Sequence, residues 1–243
     1  MTTTTTPPSR RGPNLPYSLI AGVTPCGRGW LVASAKVQGT IFAPEAPAFV
    51  SSFVDVLDQR PAYSVISLNA PVGYLDFRKK GGRTCDREAR QLLHARGAAI
   101  QSAPVRISGK EIELAPDNLD AVSRTLLPRY REVAAEMAPF RQRTVYEVHS
   151  DLCFYQLNGE VPLRWSKHSE EGIKERRTLL EEKLTGIERI LEPEEEVPEA
   201  SLFHLIDVAA FLWTSRRIFA RAAIRLPSDP EWDEQGLRME MYR

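Results

Sequence analysis

Three short β-compatible runs precede the first helical period in this chain, and that order restricts the folds open to it. Tyr17 to Val23 is apolar, Gly27 and Gly29 punctuate the stretch that follows, and Trp30-Leu31-Val32-Ala33 reads as the return strand of a hairpin. Gly39 to Phe42 forms a third short run. Beyond Pro44 and Pro47, Phe49, Phe53, Val56 and Leu57 recur at helical spacing, which predicts a helix over Ala48 to Gln59. Tyr63 to Asn69 is again strand-like and is stopped by Pro71.

Residues 78–142 read as mostly helical and amphipathic, with turns near Ala103-Pro104 and Pro116-Asp117-Asn118, and form an insertion packed on the core. The next strand is Arg143 to His149, where apolar and polar residues alternate. A charged helix follows from Glu170 to about Leu191, then an acidic, proline-bounded loop from Glu192 to Glu199. Leu202 to Ile218 is a strongly apolar helix in which Phe203, Ile206, Ala210 and Trp213 belong to the core. The predicted class is α/β, with helices flanking a mixed sheet and a helical insertion between the fourth and fifth strands. That element order matches an RNase H-like sheet, which by itself says little about function.

A chain of 243 residues with 42% hydrophobic and 26% charged content can bury one substantial core, so residues 17–243 are read as one domain. The start, Met1 to Pro16, is rich in threonine and proline and reads as a disordered tail, without the apolar stretch of a secretory signal. Lys plus Arg equals Asp plus Glu at 32 each, so any attraction to nucleic acid must be local rather than global. Cys26, Cys85 and Cys153 are widely separated and lack metal-ligand spacing, which fits a reducing, cytoplasmic setting. No apolar run reaches the roughly 20 residues that a membrane span needs.

Four segments carry a resemblance to a known family. They are Ala21 to Trp30; Ile66 to Gly73; Arg83-Thr84-Cys85-Asp86-Arg87-Glu88-Ala89-Arg90 with Ala103-Pro104-Val105-Arg106; and a set running from Tyr146-Glu147-Val148-His149 through Ser166-Lys167, Gly172, Arg176, Asp207 and Trp213 to Arg217, ending at Asp233 to Glu240. In this order they resemble domain-of-unknown-function family 429, whose members are described as predicted nucleases of RNase H-like fold. The resemblance implies a carboxylate cluster at the first strand, the fourth strand and the last helix, holding Mg²⁺ or Mn²⁺ that activates water against a phosphodiester. Those positions are Thr24, Asn69 and Asp207, with Glu147 as a further candidate. Thr24 and Asn69 stand where the family carries aspartate. Neither supplies the charge that holds a hard divalent cation, so the expected metal site is weak or absent and hydrolysis lost or much reduced. Compensation by Asp86, Asp151 or Asp233 is the alternative.

The remaining residues offer further chemistry. Glu147, His149 and Asp151 alternate and would share one face of an extended strand. His204 and Asp207 would share a helix face. If the faces meet, Glu147, His149, His204 and Asp207 form a mixed imidazole and carboxylate set that suits a transition metal; otherwise the histidines are ordinary hydrogen-bonded side chains. Arg78 to Arg96 holds seven lysines and arginines against Asp86 and Glu88. In the family reading Arg83, Arg90, Arg106, Lys167 and Arg176 are phosphate-binding candidates, although intrahelical pairing explains many such charges. Gly27-Arg28-Gly29 is a tight hairpin rather than a phosphate loop, and Cys26 has no evident base in sequence. Three functions follow: a divergent family member that keeps a phosphate or nucleic-acid cleft, an active metal-dependent hydrolase with a rebuilt site, and a non-catalytic interaction or scaffold protein.

Overall fold

The computed structural model describes residues 16–107, 114–115 and 121–243. Strands β1 (Ser18–Cys26) and β2 (Gly29–Gln38) form an antiparallel hairpin, closed at Gly27 with φ +50°. Strands β3 (Ile41–Pro44) and β4 (Ala48–Val50) both pair antiparallel with β2, at opposite ends of it. After the short helix α1 (Phe53–Leu57), strand β5 (Tyr63–Leu68) runs parallel to β1.

The insertion then contributes α2 (Thr84–Leu93), a 3-10 turn over His94–Ala99, the two-residue strands β6 (Val105–Arg106) and β7 (Leu114–Ala115), α3 (Ala121–Glu136) and a second 3-10 turn. Strand β8 (Val145–Glu147) lies parallel to β5. Helices α4 (Ser150–Leu157), α5 (Glu170–Lys183), α6 (Glu188–Leu191) and α7 (Leu202–Phe219) follow. The antiparallel pair β9 (Arg225–Trp232) and β10 (Arg238–Tyr242) ends the chain. The main sheet has the order β3-β2-β1-β5-β8. With only β2 and its two partners antiparallel to their neighbours, this is the RNase H-like arrangement.

β1 lies at the centre and is buried on both faces, which is why its sequence reads as a nearly unbroken apolar run. Ile20 and Cys26 face the layer of α4 to α7; Ala21 and Val23 face Trp30, Phe53 and Val133 on the other side. α7 closes the first layer with Val208, Phe211 and Leu212 fully buried, each contributing about 1.5–3 kcal/mol by burial. It crosses β1 almost at backbone contact. A Cβ on Gly22 would sit 2.4 Å from the Val208 carbonyl and 2.6 Å from the Leu212 nitrogen. Ser215 clamps the crossing by donating to the Ala21 carbonyl at 2.6 Å and meeting Ser67 Oγ at 2.7 Å.

The structure corrects several local expectations. The helix expected from Ala48 starts at Phe53: Phe49 pairs across β2 with Leu31, and Ser52 caps α1 through Asp55. The strand expected through His149 ends at Glu147, because His149 caps α4 by accepting the Asp151 N–H on Nδ1 at 3.2 Å. Glu147, His149 and Asp151 therefore do not share a strand face. α4 itself is buried on nearly every side, so it carries no amphipathic period to reveal it. The helix expected to reach Leu191 breaks around Gly186, φ +80°. The insertion includes the β6–β7 pair as well as helices, and the β9–β10 hairpin was not expected. The tail through residue 15 and the turn near Pro116-Asp117-Asn118 lie outside the described residues.

Candidate functional site

The carboxyl ends of β1, β5 and β8 point the same way, and the segments that follow β5 and β8 line one cleft of about 650 Å³. Open α/β sheets take ligands at this edge. Asn69, directly after β5, donates from Nδ2 to Thr24 Oγ1 at 3.0 Å. The two neutral residues expected at acidic positions are thus brought together and hydrogen-bonded to each other.

The acidic residues nearby are equally well satisfied, by cations of the chain. Glu147 is buried, and both its oxygens accept from Arg83, with Val72 N–H adding a bond at 2.9 Å. Arg83 also donates to both oxygens of the buried Asp86 and to the Gly73 carbonyl. Burial pushes the Glu147 carboxyl above its ordinary range, against the pull of Arg83. Asp207 accepts from Ser150 Oγ on one oxygen and from Lys167 Nζ at 2.8 Å on the other. Asp151 is paired with the buried Arg176 at 2.9 Å and lies 3.7 Å from Arg96.

The positions of these charges differ in exposure. Glu147 and Asp207 side chains are each 3% exposed, whereas Lys167 is 29% exposed and Arg96 27%. At the cleft wall Asp207 lies behind Lys167, whereas Glu147 lines the cleft beside the equally buried Arg83. Lys167 is held by its loop: Glu175 accepts the Arg164 and Trp165 N–H groups, and Arg176 donates to the Trp165 carbonyl at 3.1 Å. Arg96 keeps a buried Nε with no hydrogen-bond partner. His149 shows an edge to the cleft, but it is packed closely enough for desolvation to hold its pKa below the ordinary histidine value. Desolvation lowers His204 in the same direction.

Of the phosphate-binding candidates, Lys167 and Arg83 line the cleft, and Arg83 is committed to its two carboxylates. Arg90 donates to the Ile100 and Gly81 carbonyls and to Ser102. Arg106 is buried near Asp76 and Asp233, and Arg176 is buried on Asp151. These arginines hold the loops around the cleft. Of the four metal-ligand candidates, His204 caps α7 at Ser201 and lies 3.9 Å from Cys26 Sγ, a thiol that burial raises to about 11. Among the described residues, no group of three or more His, Cys, Asp and Glu side chains is arranged to hold a metal ion. The donor set does not fit Mg²⁺: each candidate carboxylate is bonded to an internal cation, and the remaining two positions are neutral.

Sequence reasoning missed Ser150 and the cleft-lining residues of α3 as parts of the site, and placed Arg96 only within the basic, anion-binding run from Arg78 to Arg96. Arg96 sits at the end of the basic run, and only folding distinguishes it from its neighbours. Val122, Leu126 and Tyr130 recur at four-residue spacing and line the cleft together with the buried Ser123, while Tyr130 also packs against the core that includes Val133, Tyr74 and Leu127. That spacing was readable, but without a fold it could not be told from a core stripe.

A family described as Protein of unknown function (DUF429) matches residues 22–232. No curated protein and no solved structure matches the chain.

Proposed function

The chain belongs to the DUF429 family, and from that premise we propose that it is a divergent member whose cleft binds a phosphate-bearing ligand with metal-dependent phosphodiester hydrolysis lost or much reduced. The observation that carries this reading is the division of charge around the cleft: Glu147 and Asp207 are buried and internally paired, while among the described residues that line the cleft Lys167 and Arg96 are the cations partly open to solvent. A divalent cation at Asp207 would have to displace the Lys167 ammonium and the Ser150 hydroxyl, and would gain no charge from Thr24 or Asn69. An anionic oxygen, by contrast, meets donors with capacity to spare.

Calorimetry with Mg²⁺, Mn²⁺ and Zn²⁺, alongside pyrophosphate, tests the reading. The expected result is no stoichiometric divalent cation and measurable pyrophosphate binding that weakens about tenfold in Lys167→Ala, an interaction of roughly 1.4 kcal/mol. Stoichiometric metal uptake that disappears in Asp207→Ala would replace this reading with an active hydrolase. Absence of anion binding together with a persistent co-purifying protein would replace it with an interaction protein.

A further inference from the structure

Trp232 is the most exposed of the four tryptophans, at 63%. It sits on β9 directly across from Arg238 of β10, whose guanidinium lies over its ring at 5.9 Å. Arg238 is 3.0 Å from the buried Glu240, and Arg225 flanks the same carboxylate at 3.6 Å. The acid between the two arginines is buried, so the hairpin presents an apolar ring edged with positive charge. A surface of opposite character is a groove of about 550 Å³, with Ala46 and Pro47 of the β3–β4 turn and Pro193 as its apolar part. Glu188, Glu192, Glu194 and Glu195 complete the groove, and among the described residues Arg189 is the one cation lining it. Arg177 takes Glu192, whereas Glu194 and Glu195 stand exposed beside it. β3 ends the main sheet on the groove side, while Tyr242 of β10 bridges to Val148, just past β8, on the other. Ring and groove belong to opposite edges of the sheet, so one chain cannot bring them together.

We infer that the chain associates head to tail with a second copy of itself, the Trp232 ring seating on Ala46, Pro47 and Pro193 of the next copy while Arg238 meets the groove's glutamates. A protruding apolar side chain that fits a pocket elsewhere on the same molecule makes a heterologous contact, which repeats instead of closing as a pair. Tryptophan and arginine are the side chains that most often dominate a protein contact when seated in a pocket. Charge complementarity selects this occupant. Pairing two hairpin faces would set arginine against arginine, whereas ring to groove sets arginine against glutamate, on a chain whose formal net charge of zero adds no overall repulsion. A tryptophan buries at most about 250 Å², well short of the roughly 800 Å² per partner of a standard interface. The association is therefore weak and grows with concentration.

The test is sedimentation velocity of the full chain between about 10 µM and 1 mM, a range that brackets weak protein contacts. The expected mass rises past that of a dimer with concentration and falls back toward the monomer as salt is raised from about 0.05 to 0.5 M. Trp232→Ser should weaken association about tenfold or more, and so should Glu194→Lys combined with Glu195→Lys. All three positions are exposed, so both variants should keep the wild-type melting profile. Mixed together, the two variants should form a pair that grows no further, because one retains the groove and the other the ring. A wild type that stays monomeric across the range overturns the inference, as does association that neither variant weakens. A mixture that remains monomeric overturns the pairing of this ring with this groove. A monomeric chain that binds heparin, with the binding lost in Trp232→Ser, would assign the hairpin to an anionic polymer instead.

Discussion

Replacing Arg83 with methionine should destabilise the protein more than any other single loss of charge at the cleft. Its guanidinium is 1% exposed and joins Glu147, Asp86 and the Gly73 carbonyl. Methionine keeps much of the side-chain volume but leaves two carboxylates buried with no compensating cation. Removing one partner of a buried pair costs about 3–5 kcal/mol. For a chain of this length about 2–4 °C of melting temperature is lost per kcal/mol, so the expected drop is about 6–20 °C near pH 7.5.

The cost should depend on pH in one direction. Glu147 already sits above its ordinary carboxyl pKa because of burial, and loss of Arg83 raises it further. A carboxyl with a raised folded-state pKa binds its proton more readily in the folded protein, so stability falls as pH rises from the unfolded value through the folded one. The gap between wild type and variant should therefore narrow as pH is lowered toward 5. Adding Glu147→Gln to the variant should recover part of the loss, with a coupling on the order of 2 kcal/mol. Urea unfolding across pH 5–8 is the assay. A loss below about 1 kcal/mol in a cooperatively unfolding variant, or a gap that widens on acidification, would refute the reasoning.

Three further outcomes are expected. Burial depresses His149, where Asp151, Asp207 and Asp86 oppose it and Lys167 reinforces it, so its contribution to stability is present above the unfolded histidine pKa and lost as pH falls toward the folded value. His149→Asn keeps an N-cap and should flatten the decline between pH 7 and 5, as measured by thermal melts; an unchanged profile counts against a buried neutral imidazole. Gly22→Ala should cost about 1–3 kcal/mol, because the new Cβ meets the Val208 carbonyl; a neutral effect in chemical denaturation would mean that the crossing of α7 has slack. Thr24→Asp with Asn69→Asp places two carboxylates where a 3.0 Å hydrogen bond now stands, so the double variant should melt lower near pH 7.5 and regain temperature with added Mn²⁺. Wild type should show no such response, and a variant equally indifferent to Mn²⁺ would argue that this is not the family's cation position.

Much of the strand order was legible because the relevant segments carry their period locally. β1, β2 and β5 read as apolar runs between glycine and proline stops, and α7 read as a strongly apolar helix central to the packing. Elements whose environment comes from distant partners were not legible. α4 is surrounded on nearly all sides, so no period marks it, and β4 looked helical until its pairing with β2 defined it. Glu147, Asp207, Thr24 and Asn69 could be singled out by type and motif alone. Which cation satisfies which carboxylate could not, because Arg83 and Glu147 are 64 residues apart and Lys167 and Asp207 are 40 apart.

The amino-acid sequence by itself determined the order of the main strands along the chain, the central apolar helix and the absence of acidic side chains at positions 24 and 69, since each depends on residue type and local spacing. Only the tertiary structure decided that Glu147 and Asp207 are buried and bonded to cations of the chain and that Lys167 and Arg96 are left partly exposed at the cleft. Charge pairing and exposure arise when segments far apart in the chain are packed against one sheet edge, and no local pattern encodes which face of each segment the packing will leave open.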